Sequence, residues 1–280
     1  MYHKNGDRIL ALLTPTDIVL DIGGWAEPFN RANYVLDVMP YETRGIFGSI
    51  GPKPECFSKD TWIVQDVCNK TGLPFGDKEI AFVICSHVLE DIRDPIFLCS
   101  ELVRVARRGY IEVPSRVRES IVGLEGRRYP GYYHHRWLVE IVGPKVIFRH
   151  KTALMAQSWK YHLPASYNRR VGEDERYSYL FWEGEFEYEE VIKISMRQVG
   201  DELEEFVRSR QAYPDFFYTL DAVRNGLRAK SLLKRALRGF PRIKRFAEKL
   251  RGRPIGQWDE QEKFWQGVQD FRSNSRQFPP

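Results

Sequence analysis

Cysteine is scarce in this chain: four residues in 280, at positions 56, 68, 85 and 99, with no C-x-x-C pairing. That argues against a disulfide framework or a cysteine-built zinc site and points to a reducing compartment, the cytoplasm. No run approaches the roughly 18 apolar residues of a membrane-spanning helix. The first nine residues are polar and charged, so no signal-peptide hydrophobic region is expected there. With 21 glycines and 16 prolines the chain is neither collagenous nor of low complexity, and no segment repeats. A large charge of one sign is also missing, because the formal net charge is only +5.

What is present is enough for a full core: 42% hydrophobic and 14% aromatic residues, over a length that suggests about two domains. The small net charge conceals a division. Residues 222–253 hold 12 Lys/Arg and one acid, Glu248, and so carry +11, which leaves −6 for the remainder. Residues 172–206 hold 12 acids against three bases. In the basic block, Leu233, Ala236, Leu237 and Phe240, then Ile243, Phe246 and Leu250, follow helical spacing. Such basic amphipathic helices suit a peripheral contact with anionic membrane or with a polyanion. They suit equally an apolar stripe packed inward with its charges on the acidic 172–206 stretch, which is the preferred reading.

The first hundred residues repeat one pattern, a short apolar run ending in an acid or small polar residue. Ile18-Val19-Leu20 ends at Asp21, Tyr34-Val35-Leu36 at Asp37, and Trp62-Ile63-Val64 leads to Asp66. Ala81–Cys85 ends at Ser86-His87, and Tyr110–Val113 stops at Pro114. Continuous apolar runs suit strands buried on both faces, as in a parallel sheet. Asp94-Pro95 opens a helix through Ala106, with Asp as N-cap and Pro at the first helical position. Strand, helix and strand give a doubly wound, Rossmann-like α/β fold. The crossover over 24–33 is short and holds Pro28, so its helix has one or two turns at most; residues 38–61, rich in Gly and Pro, read as a loop. Trp137–Val142 and Val146–Arg149 read as two antiparallel edge strands finishing the sheet. Phe186–Ser195 reads as a further strand, 115–135 as a lid, and 201–253 mostly as helix broken near Pro214 and at Pro241.

Chemistry gathers at the strand ends. Gly23 and Gly24 after Asp21 would let a ligand approach the backbone at the carboxyl edge of the sheet; a plain tight turn is the alternative. Asp37 can accept two hydrogen bonds from a ribose diol, and Asp66 one from an adenine amino group. Three acids at neighbouring strand ends favour one adenosine pocket over three unrelated caps. A nicotinamide enzyme would need a G-x-G-x-x-G turn opening a full helix, and the pattern fails after the second glycine.

Val19–Gly24, Asp37, the run from Asp66 through Gly72-Leu73-Pro74-Phe75-Gly76-Asp77, and Ser86-His87-Val88-Leu89-Glu90-Asp91 resemble the class I S-adenosylmethionine-dependent methyltransferases over residues 15–115. The resemblance implies that Asp21, Gly23 and Gly24 face the methionine moiety, Asp37 the ribose, and Asp66 with Val67 the adenine edge. Ser86 and His87 would line the transfer cleft. Trp25 and Ala26 stand where the family's loop is usually glycine-rich, and Asp91 replaces the commoner histidine of its run. The chain is also similar to a smaller subgroup that pairs this run with Glu112-Val113-Pro114-Ser115 and His134-His135-Arg136-Trp137, some of whose members methylate sugar hydroxyls of glycans. By that resemblance a divalent cation such as magnesium is a candidate cofactor, at Glu112 with a histidine; the spacing itself carries no metal signature.

Transfer to a hydroxyl calls for a base. His87 is one candidate, and the His134-His135 pair a stronger one; adjacent residues of an extended segment point to opposite sides, so only one of the pair can be the base, with His135 slightly preferred over His134 and a structural role for both as the alternative. The acceptor side would be lined by Glu112, Ser115, Arg116, Tyr129, Tyr132, Tyr133 and Trp137. The expected organisation is a methyltransferase domain over 1–150 and an α-rich acceptor-side cap with basic helices over 151–280. The expected activity is O-methyl transfer to a sugar, glycan or related small molecule. The alternatives are a secondary-metabolite methyltransferase and a non-catalytic interaction protein. Nucleic acid is not an expected partner; a homo-oligomer is one of the states the sequence leaves open.

Overall fold

The computed structural model describes residues 1–215 and 217. The chain divides at Ile192/Lys193. The first part is built on a six-stranded sheet from β1 (Val19–Ile22), β2 (Tyr34–Asp37), β3 (Trp62–Val64), β4 (Phe82–Ser86), β5 (Arg108–Pro114) and β10 (Tyr177–Glu183), in the order β3-β2-β1-β4-β5-β10. The first five are parallel and β10 runs antiparallel to β5, with Tyr177 opposite Pro114 and Glu183 opposite Arg108. The five apolar runs of the sequence are thus the five parallel strands, and the α/β expectation holds.

The strands read as unbroken apolar runs because both faces are covered. Leu20, Ile22, Leu36, Val83, Cys85, Ile111 and Val113 face α2 (Pro95–Val105), whose Leu98, Cys99, Leu102 and Val105 fill that side. Val19, Val35, Phe82, Ile84 and Tyr110 alternate to the other face and meet Phe29, Phe57, Trp62 and Ile9 of α1 (His3–Leu12). Asp94 caps α2 by accepting from the Phe97 amide at 2.9 Å, and Pro95 begins its first turn, as the sequence indicates. The β1–β2 crossover holds no helix, and 38–61 carries only two single-turn 3₁₀ segments, Tyr41–Thr43 and Lys59–Thr61.

One expectation needs correction. The pair β8 (Trp137–Val142) and β9 (Lys145–His150) is antiparallel, but it forms its own three-stranded sheet with β11 (Glu187–Glu190) and packs Val139, Val146 and Phe148 into the α2-side core. The sixth place of the main sheet belongs to β10. The 115–135 segment, read as a lid, carries regular structure: α3 (Arg116–Ser120) is followed by the short hairpin of β6 (Val122–Gly126) and β7 (Tyr129–Pro130). Beyond Ile192, the described chain forms α4 (Met196–Ser209), capped by Ser195. The basic block at 222–253 lies outside the described residues.

Candidate functional site

The loops after β1, β2, β3 and β4 all leave the carboxyl edge of the parallel sheet, where open α/β folds take their ligands. Asp21 sits on β1, buried, and its Oδ2 accepts from the Phe29 amide at 2.9 Å. Burial pushes its carboxyl up to about 7, against the pull of that hydrogen bond. Gly23 has φ +77°, and a β-carbon there would collide with Val88. At Gly24 a β-carbon would run into the Asp21 carboxylate. The two glycines are therefore required by the packing of Asp21 and Val88 under the loop.

Asp37 closes β2, nearly buried, with Oδ2 accepting from Trp25 N at 3.1 Å and Oδ1 from Met39 N at 2.9 Å. Burial raises its carboxyl above the ordinary range. The Trp25 indole is itself fixed by Thr43, so the unexpected tryptophan after the glycines is a strut between the first two loops. Asp66 is exposed beyond β3. It accepts from Cys68 N at 2.8 Å, which lowers its carboxyl, and it pairs with Arg93 at 2.8 Å. Val67 beside it is a core residue.

β4 ends in Ser86, and His87 then takes φ +57°, unusual for a residue with a side chain. The turn is held by His87 N donating to the Glu112 carbonyl at 2.9 Å. It places the imidazole between two carboxylates: Nδ1 is 3.2 Å from Glu90 Oε1 and Nε2 is 3.2 Å from Glu112 Oε1. Burial works against the charged ring, but the hydrogen bonds to Glu112 and Glu90 and their charges win and raise it to about 9. At neutral pH His87 is a proton donor. Glu112 is fully buried; it accepts from Tyr2 N at 2.9 Å, from the Tyr110 hydroxyl and, at 3.4 Å, from Ser86 Oγ. Its work is to hold this knot together. Tyr2 and Tyr177 stack with centroids 5.7 Å apart, and Tyr177 meets the His87 ring edge-on.

The histidine pair lies just before β8, in irregular backbone, so strand alternation does not govern it. Both imidazoles turn to the same neighbour, with His134 Nε2 and His135 Nε2 each 3.8 Å from Asp91 Oδ1. This overturns the expectation that the two point apart. His135 is buried with Nδ1 2.6 Å from Glu119 Oε1, and the other Glu119 oxygen accepts from buried Lys151 at 2.5 Å. His134 is 44% exposed, with Nδ1 3.3 Å from Glu125 Oε2.

The proposed acceptor residues divide in the structure. Tyr132 flanks this pair, its ring 4.7 Å from that of His135, and Tyr133 is 69% exposed beside it. Tyr129 stacks under the Lys151 ammonium. Ser115 caps α3 and donates to the Glu175 carbonyl, Arg116 pairs with Glu140 at 3.0 Å, and Trp137 packs on Phe148 and donates to the Ile92 carbonyl. Those three hold the scaffold.

No protein-family model matches the chain, and no curated protein sequence does. Several solved structures resemble it. A SAM-dependent methyltransferase from Aquifex aeolicus is 16% identical over 40% of this chain and 64% of that one, with a TM-score of 0.27. An S-adenosylmethionine-dependent methyltransferase from Mesorhizobium loti is 12% identical over 52% and 62%, with a TM-score of 0.29. The N-terminal domain of EvdMO1, with SAH bound, is 17% identical over 55% and 62%, with a TM-score of 0.27. The chain spans less than two-thirds of each of these. What it shares with them is an outline; the fold stands on its own strand order.

The strand-end set fits an adenosyl cofactor. Asp37 accepts from the Trp25, Met39 and Val38 amides, and a carboxylate has about four acceptor sites, so capacity remains for a ribose hydroxyl. Glu112 with a histidine does not suit a cation, because both nitrogens of His87 already face carboxylates. Sequence reasoning missed Glu90, Asp91, Glu119, Lys151 and Tyr2. Asp91 was visible only as an unusual residue in its run, and Glu90 stands in the same run three positions from its partner His87; Glu119, Lys151 and Tyr2 have no local signal, because their partners lie far along the chain. Among the described residues, no helix is long and apolar enough to cross a membrane.

Proposed function

We propose that the protein is an S-adenosylmethionine-dependent methyltransferase acting on a hydroxyl of a small molecule, with a sugar or glycan as the favoured class. The reading is carried by one observation: Asp21, Asp37 and Asp66 stand at or just beyond the carboxyl ends of three adjacent parallel strands, with His87 turned back at the end of the fourth. When bound, the cofactor supplies an electrophilic methyl group on sulfur. Asp37 would receive its ribose and Asp66 its adenine edge, while the Gly23 turn gives backbone access. His87, a cation at neutral pH between Glu90 and Glu112, fixes the cleft floor and can donate a hydrogen bond. Proton removal from the acceptor falls to the group of His134, His135 and Asp91, with Tyr132 and Tyr133 offering ring faces beside it. Holding both substrates in line supplies much of the rate.

The test is calorimetry on the full chain with S-adenosylhomocysteine. Binding is expected, and Asp37→Ala should weaken it roughly 10- to 100-fold, the worth of about 1.5–3 kcal/mol for hydrogen bonds to a charged group. Absence of binding overturns the reading, and unchanged affinity in the variant overturns the pocket. Turnover on a panel of hydroxylated acceptors, followed by release of S-adenosylhomocysteine, separates an enzyme from a binding module.

A further inference from the structure

The geometry points to a transition-metal site, of the zinc type, formed by Asp91, His134 and His135. Three donor atoms, one from each side chain, lie within 4.8 Å of one another, and both imidazole Nε2 atoms are 3.8 Å from Asp91 Oδ1. That oxygen is buried and has no hydrogen-bond partner. A buried carboxylate oxygen left without a donor is costly unless a charge meets it. Neither imidazole is close enough to donate to it, yet both approach it from the spacing a shared cation imposes. Bonds of about 2.1 Å in tetrahedral geometry separate ligand atoms by roughly 3.4 Å. Both Nε2 atoms stand about 0.4 Å beyond that spacing, and the partly exposed Asp91 and His134 are the side chains with room to close it.

The surroundings argue the same way. Glu119 holds His135 by Nδ1 at 2.6 Å, and Glu125 lies 3.3 Å from His134 Nδ1. A carboxylate taking the Nδ1 proton leaves the Nε2 lone pair outward, as in the carboxylate–histidine–metal arrangement. Lys151 on the far oxygen of Glu119, together with the Tyr132 carbonyl that also accepts from Lys151, locks that carboxylate in place. The contrast with His87 is one of distance: both of its nitrogens lie 3.2 Å from a carboxylate oxygen, within hydrogen-bond reach, whereas the Nε2 atoms of His134 and His135 stand 3.8 Å from Asp91 Oδ1. Two imidazoles and one carboxylate suit zinc, cobalt or iron(II) better than magnesium, which prefers an all-oxygen octahedron. Three protein ligands leave positions open, and the site is partly exposed at Asp91 and His134, so an acceptor hydroxyl could reach a bound cation, which would then promote loss of its proton in place of the imidazoles acting as base. That last role rests on the methyl-transfer reading; metal uptake does not, and it is measured without cofactor.

The experiment takes the full chain, stripped with a chelator and desalted, and titrates it with cobalt(II) by visible spectroscopy and with zinc by calorimetry. One equivalent is expected, with the d–d bands of a low-coordinate nitrogen and oxygen site and no displacement by excess magnesium. Asp91→Asn and His134→Ala should each cost at least about 10-fold in affinity, and Glu119→Gln about 10- to 100-fold by releasing His135. Replacing His3, exposed and remote in sequence, should change nothing. Asp91 and His134 are partly exposed, so these variants should keep the wild-type melting profile, which is checked in parallel. No uptake by the wild type, or full affinity in both Asp91→Asn and His134→Ala, overturns the site. Loss of methyl transfer with metal binding intact would count against the enzymatic reading alone.

Discussion

Glu112→Gln is the most informative perturbation of the knot behind the β4 turn. The carboxylate is fully buried, accepts from Tyr2 N at 2.9 Å, from the Tyr110 hydroxyl and from Ser86 Oγ, and faces His87 Nε2 at 3.2 Å. An amide fills the same volume but turns an N–H₂ toward groups that are themselves donors. Removing one partner of a buried ion pair costs about 3–5 kcal/mol, and the amide oxygen restores part of it, so about 3 kcal/mol is expected. For a chain of this size that is a fall of roughly 6–12 °C in Tm. The pH dependence is the sharper readout. The folded state holds the His87 proton up to about pH 9, whereas an ordinary histidine in the unfolded chain holds it only to about 6.5. The native state therefore binds more protons between those values, and its stability falls as pH rises through that window. The contribution is fully present below about pH 6.5 and gone above about pH 9. At about 1.36 kcal/mol per pH unit the full effect is roughly 3.4 kcal/mol. With the ring 35% exposed, solvent screening leaves half of that, about 1.5–2 kcal/mol. Thermal unfolding by circular dichroism at pH 6, 7.5 and 9.5 measures both effects. The wild type should lose Tm across the series and the variant should lose markedly less. A Tm within 2 °C of wild type, or an unchanged pH slope, would refute the account of the Glu112–His87 pair.

Other expectations follow from single contacts. Gly23→Ala forces a side chain into φ +77° and into Val88, and should cost about 2–4 kcal/mol from the backbone and overpacking together, read by urea unfolding. Phe148→Ala opens a cavity between β9 and the α2-side core and should cost about 3–5 kcal/mol in the same assay, with little effect on cofactor affinity. Lys151→Met leaves the Glu119 carboxylate with His135 as its remaining partner and should cost about 3–5 kcal/mol; a melting temperature equal to wild type would mean the ion pair is not formed.

The parallel sheet was legible because its strands are covered on both faces: Val19–Ile22, Tyr34–Asp37, Trp62–Val64, Phe82–Ser86 and Arg108–Pro114 write that burial as unbroken apolar runs. The α2 start was legible because Asp94 and Pro95 act on their own first turn. The acids at the strand ends were legible because position along a parallel strand already says which edge of the sheet a residue occupies. The placing of β8 and β9 was not, since an antiparallel hairpin looks the same wherever it packs, and only core contacts of Val139, Val146 and Phe148 assign it to a second sheet. The charge on His87 was likewise closed to sequence reading: Glu112, 25 positions away, and the φ of one residue decide it. Asp91 and the two histidines lie more than forty residues apart, and their shared direction comes from Glu119, Glu125 and an irregular backbone before β8. Local physics, burial and capping, determined the scaffold and the edge where chemistry gathers. The protonation and the company of the histidines depended on contacts between distant segments, which exist only once the chain has folded.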